Sequence, residues 1–159
     1  MHRRGLAPDT MNATRLSYTL DSTLESANKA EVAARAVALR SEFAEADADN
    51  IATAVREATL NAVLHGNQYD PCKHVTLLFE AAPEGLTVRV CDQGEGLDPA
   101  AIPDPLAPEN LLKQSGRGIF LIRAFMDEVR FCNPSPGPEI TMKKDKAPPP
   151  SHADGPSSF

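Results

Sequence analysis

One run of the sequence places a carboxylate and a carboxamide one helical turn apart, Glu57 and Asn61, with His65 a further turn on. Residues four apart lie on one face of a helix, and the alanines beside them predict that this face meets an apolar core. An amide oxygen there can bind Mg²⁺ while water fills the other positions, and the carboxylate can accept a proton or position a water. The same spacing also occurs on helices whose Glu is exposed and binds nothing, so this run alone leaves both interpretations open.

A second run ends a predicted strand with an acidic residue, Asp92, followed by Gly94 and Gly96. A carboxylate at a strand end can accept a hydrogen bond from an exocyclic amine, such as that of adenine. The glycines allow the backbone to approach a ligand closely. The alternative is an ordinary Asp-Gly turn. The oxygen-ligand register of an EF-hand loop is missing, so this run does not predict calcium.

A third run, Gly116, Arg117 and Gly118, precedes an apolar segment that we expect to form a buried helix. The N-terminus of a helix presents unpaired N–H groups and a partial positive charge, which favour phosphate. The spacing matches neither the GxGxxG of a βαβ unit nor a P-loop, which disfavours Rossmann and P-loop folds. The alternative is a flexible hinge ahead of a core helix.

The elements that would position these runs follow from the hydrophobic periodicity. Asp21 or Ser22 is expected to cap the first helix and Asp47 or Asp49 the second, which Gly66 would end in a left-handed conformation. The order predicts an α+β two-layer sandwich, with helices packed on one face of a mainly antiparallel mixed sheet. Strands are expected at 14–20, 73–81, 86–91, 128–132 and 139–144, helices at 24–46, from the second cap to 66 and at 118–126, and a loop at 92–108 with a helical turn at 108–113.

Length and composition bound the organisation and the partners. The 159 residues accommodate one domain, which we expect at 14–145, between a flexible N-terminal arm at 1–13 and a disordered Pro-rich tail at 146–159. The net charge of −6 argues against direct binding of nucleic acid or of a membrane surface. No apolar run reaches the about 20 residues of a membrane span. Three cysteines without CxxC spacing predict neither a disulfide framework nor a zinc site, which favours the cytoplasm.

In their order and separations, the three runs resemble the N, G1 and G2 boxes of the GHKL (Bergerat-fold) ATP-binding superfamily, with its histidine-kinase-like ATPase domain. Within that superfamily the chain is similar to the anti-sigma-factor serine/threonine kinases. The similarity is greatest at His65-Gly66-Asn67 and along 116–129, and it covers residues 20–144.

The resemblance implies a role for each motif residue, with ATP and Mg²⁺ as cofactors. It makes Glu57 the base that receives the proton of the attacking hydroxyl, Asn61 the Mg²⁺ ligand and Asp92 the acceptor of the adenine amine. The segment 97–115 would be a mobile lid over the ATP. The remaining implied nucleotide contacts are Gly94 and Gly96 at the adenine and Gly116, Arg117 and Gly118 along the phosphates.

The resemblance also implies partners and an activity. The protein would transfer the γ-phosphate of ATP to a Ser or Thr of a STAS-type anti-anti-sigma protein, bind a sigma factor, and be able to form a homodimer. We do not expect a sensor histidine kinase, because the chain has no room for the dimerising hairpin with its phosphoacceptor His. Two alternatives are a nucleotide-dependent partner-binding module with little turnover and an α+β domain without a ligand.

Overall fold

The computed structural model describes residues 14–94, 114–132 and 137–146, with side chains from residue 118 onward in the second range. The expected N-terminal arm, the loop and helical turn between 95 and 113, and the tail beyond 146 lie outside these residues.

The sheet has five strands in the order β1-β2-β3-β5-β4, and each of the four described pairings is antiparallel. One face carries buried apolar residues at alternate positions, among them Leu77 and Phe79 of the second strand and Val88 and Val90 of the third. The predicted α+β sandwich is confirmed. The strands are β1 Thr14–Asp21, β2 His74–Ala82, β3 Gly85–Cys91, β4 Glu128–Cys132 and β5 Glu139–Asp145.

Three α-helices, α1 Leu24–Arg40, α2 Glu45–Asn61 and α3 Gln114–Phe125, are described, and α2 continues into a π-helical turn at Ala62–Gly66. The buried positions of α1 and α2 are mostly alanines, whose small side chains let the helices approach each other closely. Because α2 packs against both α1 and α3, it is the central helix of the layer, and it carries the first of the three runs.

The helix ends differ from the prediction. Thr23, not Asp21 or Ser22, caps α1, because its hydroxyl accepts the N–H of Ser26 at 3.3 Å. The first helix ends at Arg40 rather than at 46. Glu42 turns left-handed there, with a φ of 70°, and the N–H of Phe43 donates back to the carbonyl of Ala38 at 3.1 Å. This places the apolar ring of Phe43 in the core.

The start and end of the second helix are also corrected. It begins at Glu45 with Ala44 at the N-cap position, so Asp47 lies in the first turn and neither Asp47 nor Asp49 is the cap. Gly66 does not adopt a left-handed φ. The left-handed residues are Gln68, with φ 52°, and Tyr69, with φ 61°. The chain therefore leaves the helix through a π-helical turn and reverses after it. The glycine at position 66 is not needed for its backbone angles and must have a different cause.

Candidate nucleotide-binding site

Glu57 and Asn61 lie on the side of α2 that faces α3. A Cβ atom placed on Gly118 of α3 would lie 2.9 Å from Glu57 Oε1 and 3.8 Å from Asn61 Oδ1. Gly118 thus leaves room for both polar side chains between two packed helices. His65, which the four-residue spacing placed on the same face, lies in the π-helical turn and is exposed. The structure brings the first and third runs together through Glu57, Asn61 and Gly118.

The partly buried carboxylate of Glu57 has a basic neighbour in Arg56. The Nη1 atom of Arg56 lies 3.9 Å from Glu57 Oε2. The same guanidinium contacts α1, at 3.3 Å from Glu31 Oε1 and at 3.3 Å from Asn28 Oδ1. Arg56 therefore joins the carboxylate of Glu57 to the neighbouring helix, in addition to the contacts of Glu57 itself.

Asp92 follows β3 directly, and its carboxyl group lies against Gly66 at the end of the π-helical turn. A Cβ atom on Gly66 would overlap that carboxyl group, and one on Gly94 would overlap the carbonyl of Gly66. The N–H of Gly94 donates to Asp92 Oδ1 at 2.7 Å, and the N–H of Asp92 donates to the carbonyl of Pro138 at 3.0 Å. The first and second runs therefore meet at two glycines that no larger residue could replace without displacement.

Partial burial raises the pKa of the Asp92 carboxyl. The hydrogen bond from Gly94 and the charge of Lys73 act in the opposite direction and only partly offset that effect. A half-buried carboxylate with a raised pKa is stabilised by any further N–H donor that reaches it. The exocyclic amine of adenine would supply such a donor, which is the chemistry that the second run suggested.

Asn67 is a further functional candidate, which the sequence analysis named only within the similarity at His65-Gly66-Asn67 and to which it gave no role. The residue is 1% exposed, and its side chain contacts three separate parts of the chain: Ser22 before α1, His74 at the start of β2 and Gln93 after β3. The sequence shows only an Asn after a helix-ending Gly. The partners lie between 7 and 45 residues away, so no local spacing could have revealed them.

The third run differs from its prediction in one respect. The glycines do not precede the helix, since α3 already begins at Gln114. Gly116 and Arg117 therefore belong to the first turn of α3, whose backbone N–H groups lack helical acceptors. Gly118 lies farther along, where it packs against Glu57. Gly96 lies outside the described residues, as does most of the expected lid.

Among the described residues, no group of three or more His, Cys, Asp or Glu side chains could hold a metal ion on its own. A Mg²⁺ ion at Asn61 would therefore take most of its ligands from phosphate and water, which is how Mg²⁺ is usually held beside a nucleotide. The amide oxygen of Asn61 and the carboxylate of Glu57 fit such a site. Across the same described ranges, no helix combines the length and the hydropathy that a membrane span requires.

The comparison with known families agrees with this geometry. The model of the histidine kinase-like ATPase domain matches residues 20–144. The chain belongs to this family, so the resemblance to the GHKL superfamily is confirmed.

The chain is also similar to individual proteins of known name. The chain is 34% identical over 105 residues to the serine-protein kinase RsbW of Staphylococcus epidermidis, a match that covers 62% of this chain and 65% of that relative. It is 32% identical over 114 residues to RsbW of Bacillus subtilis strain 168, covering 68% and 71%. With the anti-sigma F factor of Clostridium perfringens it shares 33% over 100 residues, covering 60% and 70%. The similarity to the anti-sigma-factor kinases is thus confirmed, although this chain spans just under two thirds of the staphylococcal kinase.

A solved structure with the same fold contains the RsbU and RsbW domains of a Mycobacterium tuberculosis protein. The superposition has a TM-score of 0.60 at 19% identity and covers 85% of this chain and 33% of that one. At this identity the likeness concerns the fold, and it agrees with the sandwich described above.

Proposed function

We propose that this protein is an ATP-binding anti-sigma regulatory factor with protein serine/threonine kinase activity. The observation that supports this most directly is the packing of Glu57 and Asn61 against Gly118. This packing brings a carboxylate and an amide oxygen close to the N-terminal part of α3, where phosphate groups would bind. Asp92 lies against Gly66, which is at the C-terminal end of the same α2 and π-helical segment, five residues beyond Asn61. The adenine and the phosphates would span the distance from Asp92 to the pair Glu57 and Asn61.

In the proposed reaction, the hydroxyl of a Ser or Thr on the partner attacks the γ-phosphorus of ATP. Glu57 accepts the hydroxyl proton as the new oxygen–phosphorus bond forms and the bond to the bridging oxygen breaks, with ADP as the leaving group. Asn61 would hold Mg²⁺, which neutralises charge on the phosphates when bound. The protein's own contribution is to orient the hydroxyl and to keep Glu57 within reach of its proton.

The nucleotide contacts follow the order of the runs. Asp92 would accept the exocyclic amine of adenine, with Gly94 and Gly96 shaping the pocket around the base. Gly116 and Arg117 would lie along the phosphates at the start of α3. Gly118 would lie along the phosphates too, and it also packs closely on Glu57, because a Cβ atom there would lie 2.9 Å from Glu57 Oε1.

The partners are proposed from the relatives. Two of them are named serine-protein kinase and one anti-sigma F factor. In line with these names, this protein would phosphorylate a STAS-type anti-anti-sigma protein and bind a sigma factor. From the sequence analysis we also propose that it acts in the cytoplasm and is able to form a homodimer.

The test is transfer of labelled γ-phosphate from ATP to a cognate STAS-domain protein. We expect transfer by the wild type and a loss of at least about a hundredfold in Glu57→Gln, which removes the proton acceptor but keeps the side-chain volume. Glu80→Gln is the matched control, because Glu80 lies on the face of the sheet away from the helices. This variant should transfer phosphate at the wild-type rate.

Transfer equal in the wild type and in Glu57→Gln would contradict the kinase proposal. Nucleotide-dependent retention of the partner without transfer would instead support the alternative of a binding module with little turnover. Calorimetry with Mg-ATP separates both from a domain without a ligand, since that domain would release no binding heat.

A further inference from the structure

We propose that Asn67 is a positioning residue for recognition of the nucleotide base, because its buried amide fixes the backbone next to Asp92. This inference rests on the proposed nucleotide binding and adds a residue to it. Asn67 is the first residue after the π-helical turn, and its N–H donates to the carbonyl of Ala62 at 2.7 Å. Its position is therefore tied to the helix that carries Glu57 and Asn61.

The amide of Asn67 is used in one orientation only. Its Nδ2 group donates to Ser22 Oγ at 2.8 Å and to the carbonyl of His74 at 2.9 Å, while its Oδ1 accepts the N–H of Gln93 at 2.8 Å. Exchanging the oxygen and nitrogen would set the amide nitrogen against the N–H of Gln93 and the oxygen against the carbonyl of His74. Both contacts would then be repulsive, so the network selects a single arrangement.

Neighbouring groups reinforce this arrangement. The Ser22 hydroxyl donates its proton to the carbonyl of Lys73 at 2.7 Å, so towards Asn67 its oxygen can only accept, which it does from Nδ2. The side-chain oxygen of Gln93 accepts the N–H of His74 at 2.6 Å. The three residues Asn67, His74 and Gln93 therefore form a closed ring of hydrogen bonds in which each contacts the other two.

The consequence falls on Asp92, which lies between β3 and the residue that Asn67 holds. Gly66 and Asn67 run beside Asp92 and Gln93, with the Asp92 carboxyl against Gly66 and the Asn67 oxygen on the N–H of Gln93. Without the amide of Asn67, the N–H of Gln93 would lose its buried acceptor and the backbone after β3 could move. The distance between the Asp92 carboxyl and the helix that carries Glu57 and Asn61 would then no longer be fixed.

The experiment compares affinities for ADP and for inosine diphosphate, which carries a carbonyl oxygen where adenine carries its amino group. We expect the wild type to prefer ADP, and the preference to fall by about tenfold in Asn67→Ala, the effect of one weakened hydrogen bond to a charged group. Ser22→Ala is the matched control. It removes one partner of the same buried amide but leaves the bond to Gln93, so its melting temperature should fall while its base preference stays that of the wild type.

The outcomes separate this inference from the function on which it rests. Wild type that binds neither nucleotide contradicts the proposed function. Wild type that prefers ADP, together with an Asn67→Ala variant of equal preference and lower melting temperature, overturns the role of Asn67 alone. Should Asn67→Ala not fold, Asn67→Ser is measured well below its melting temperature, and the same comparison of preferences decides.

Discussion

The carboxyl group of Asp92 lies against the α-carbon of Gly66, in the space that any side chain at position 66 would fill. The contact joins the end of the helix that carries Glu57 and Asn61 to the end of a strand 26 residues later. A glycine is required there for the approach of another group and not for its own backbone angles, because its φ is not left-handed.

Gly66→Ala should therefore weaken ADP binding by about tenfold or more, because the new methyl group displaces the carboxyl that would hold the base. The overlap should also lower the free energy of unfolding by about 1–3 kcal/mol. Calorimetric titration and chemical denaturation measure the two effects. His65→Ala is the control, because the side chain of His65, next to Gly66, is exposed and does not point into the space that Asp92 occupies. Unchanged ADP affinity in Gly66→Ala would show that Asp92 does not hold the base.

Gly118→Ala should have opposite effects on stability and activity. Alanine is favoured over glycine inside a helix by about 1 kcal/mol, so α3 should become more stable. The new methyl group would crowd Glu57 Oε1. Displacement of this proton acceptor should reduce phosphate transfer by about tenfold or more. Melting curves and initial transfer rates measure these changes.

A double-mutant cycle identifies the cause of that reduction. If Gly118→Ala acts by moving Glu57, it should have little further effect on transfer when Glu57→Gln is already present. An equal loss of transfer in both backgrounds would mean that the methyl group disturbs the phosphates directly.

Asp92→Asn should change how stability depends on pH. Burial raises the pKa of the Asp92 carboxyl above its ordinary value of 3.8, so the folded protein holds this proton at a higher pH than the unfolded chain. The wild type therefore loses stability, from this group, as the pH rises from about 3.8 through the raised pKa. The neutral amide has no such ionisation, and it can still accept the N–H of Gly94.

We therefore expect Asp92→Asn to be at least as stable as the wild type at pH 7, with the stability difference shrinking as the pH falls below the raised pKa. Its ADP affinity should drop, because a neutral oxygen is a weaker acceptor for the adenine amine. Denaturant unfolding across a pH series measures the first effect. A variant less stable than the wild type by the same amount at every pH would contradict the proposed ionisation.

Strand positions could be predicted from the sequence because apolar and polar residues alternate along β1, and because β-branched and aromatic residues on either side of a turn signal mark β2 and β3. The strand β4 has the predicted bounds, and the others differ by at most one residue at an end. Helix ends could not be predicted as well. The first helix stops where Glu42 turns left-handed, which depends on the burial of Phe43 rather than on a local stop signal.

The site was predictable as residue types and not as an arrangement. Spacing identified Glu57, Asn61 and Asp92, but the reasons for Gly66 and Gly118 are contacts with side chains distant in sequence. The role of Asn67 could not be predicted for the same reason, since His74 and Gln93 become neighbours only when β2 and β3 are paired.

The π-helical turn that follows α2 makes the arrangement of the site depend on the number of residues in that turn. Such a turn contains one residue more between hydrogen-bonded groups than an α-helical turn, and here the N–H of Asn67 bonds to the carbonyl of Ala62. The extra residue sets the angular offset between the α3-facing pair Glu57 and Asn61 and the segment that meets Asp92. A deletion of one residue within Ala62–Gly66 would restore α-helical winding. Every residue with a proposed role could then be retained while the two halves of the site no longer face a common ligand.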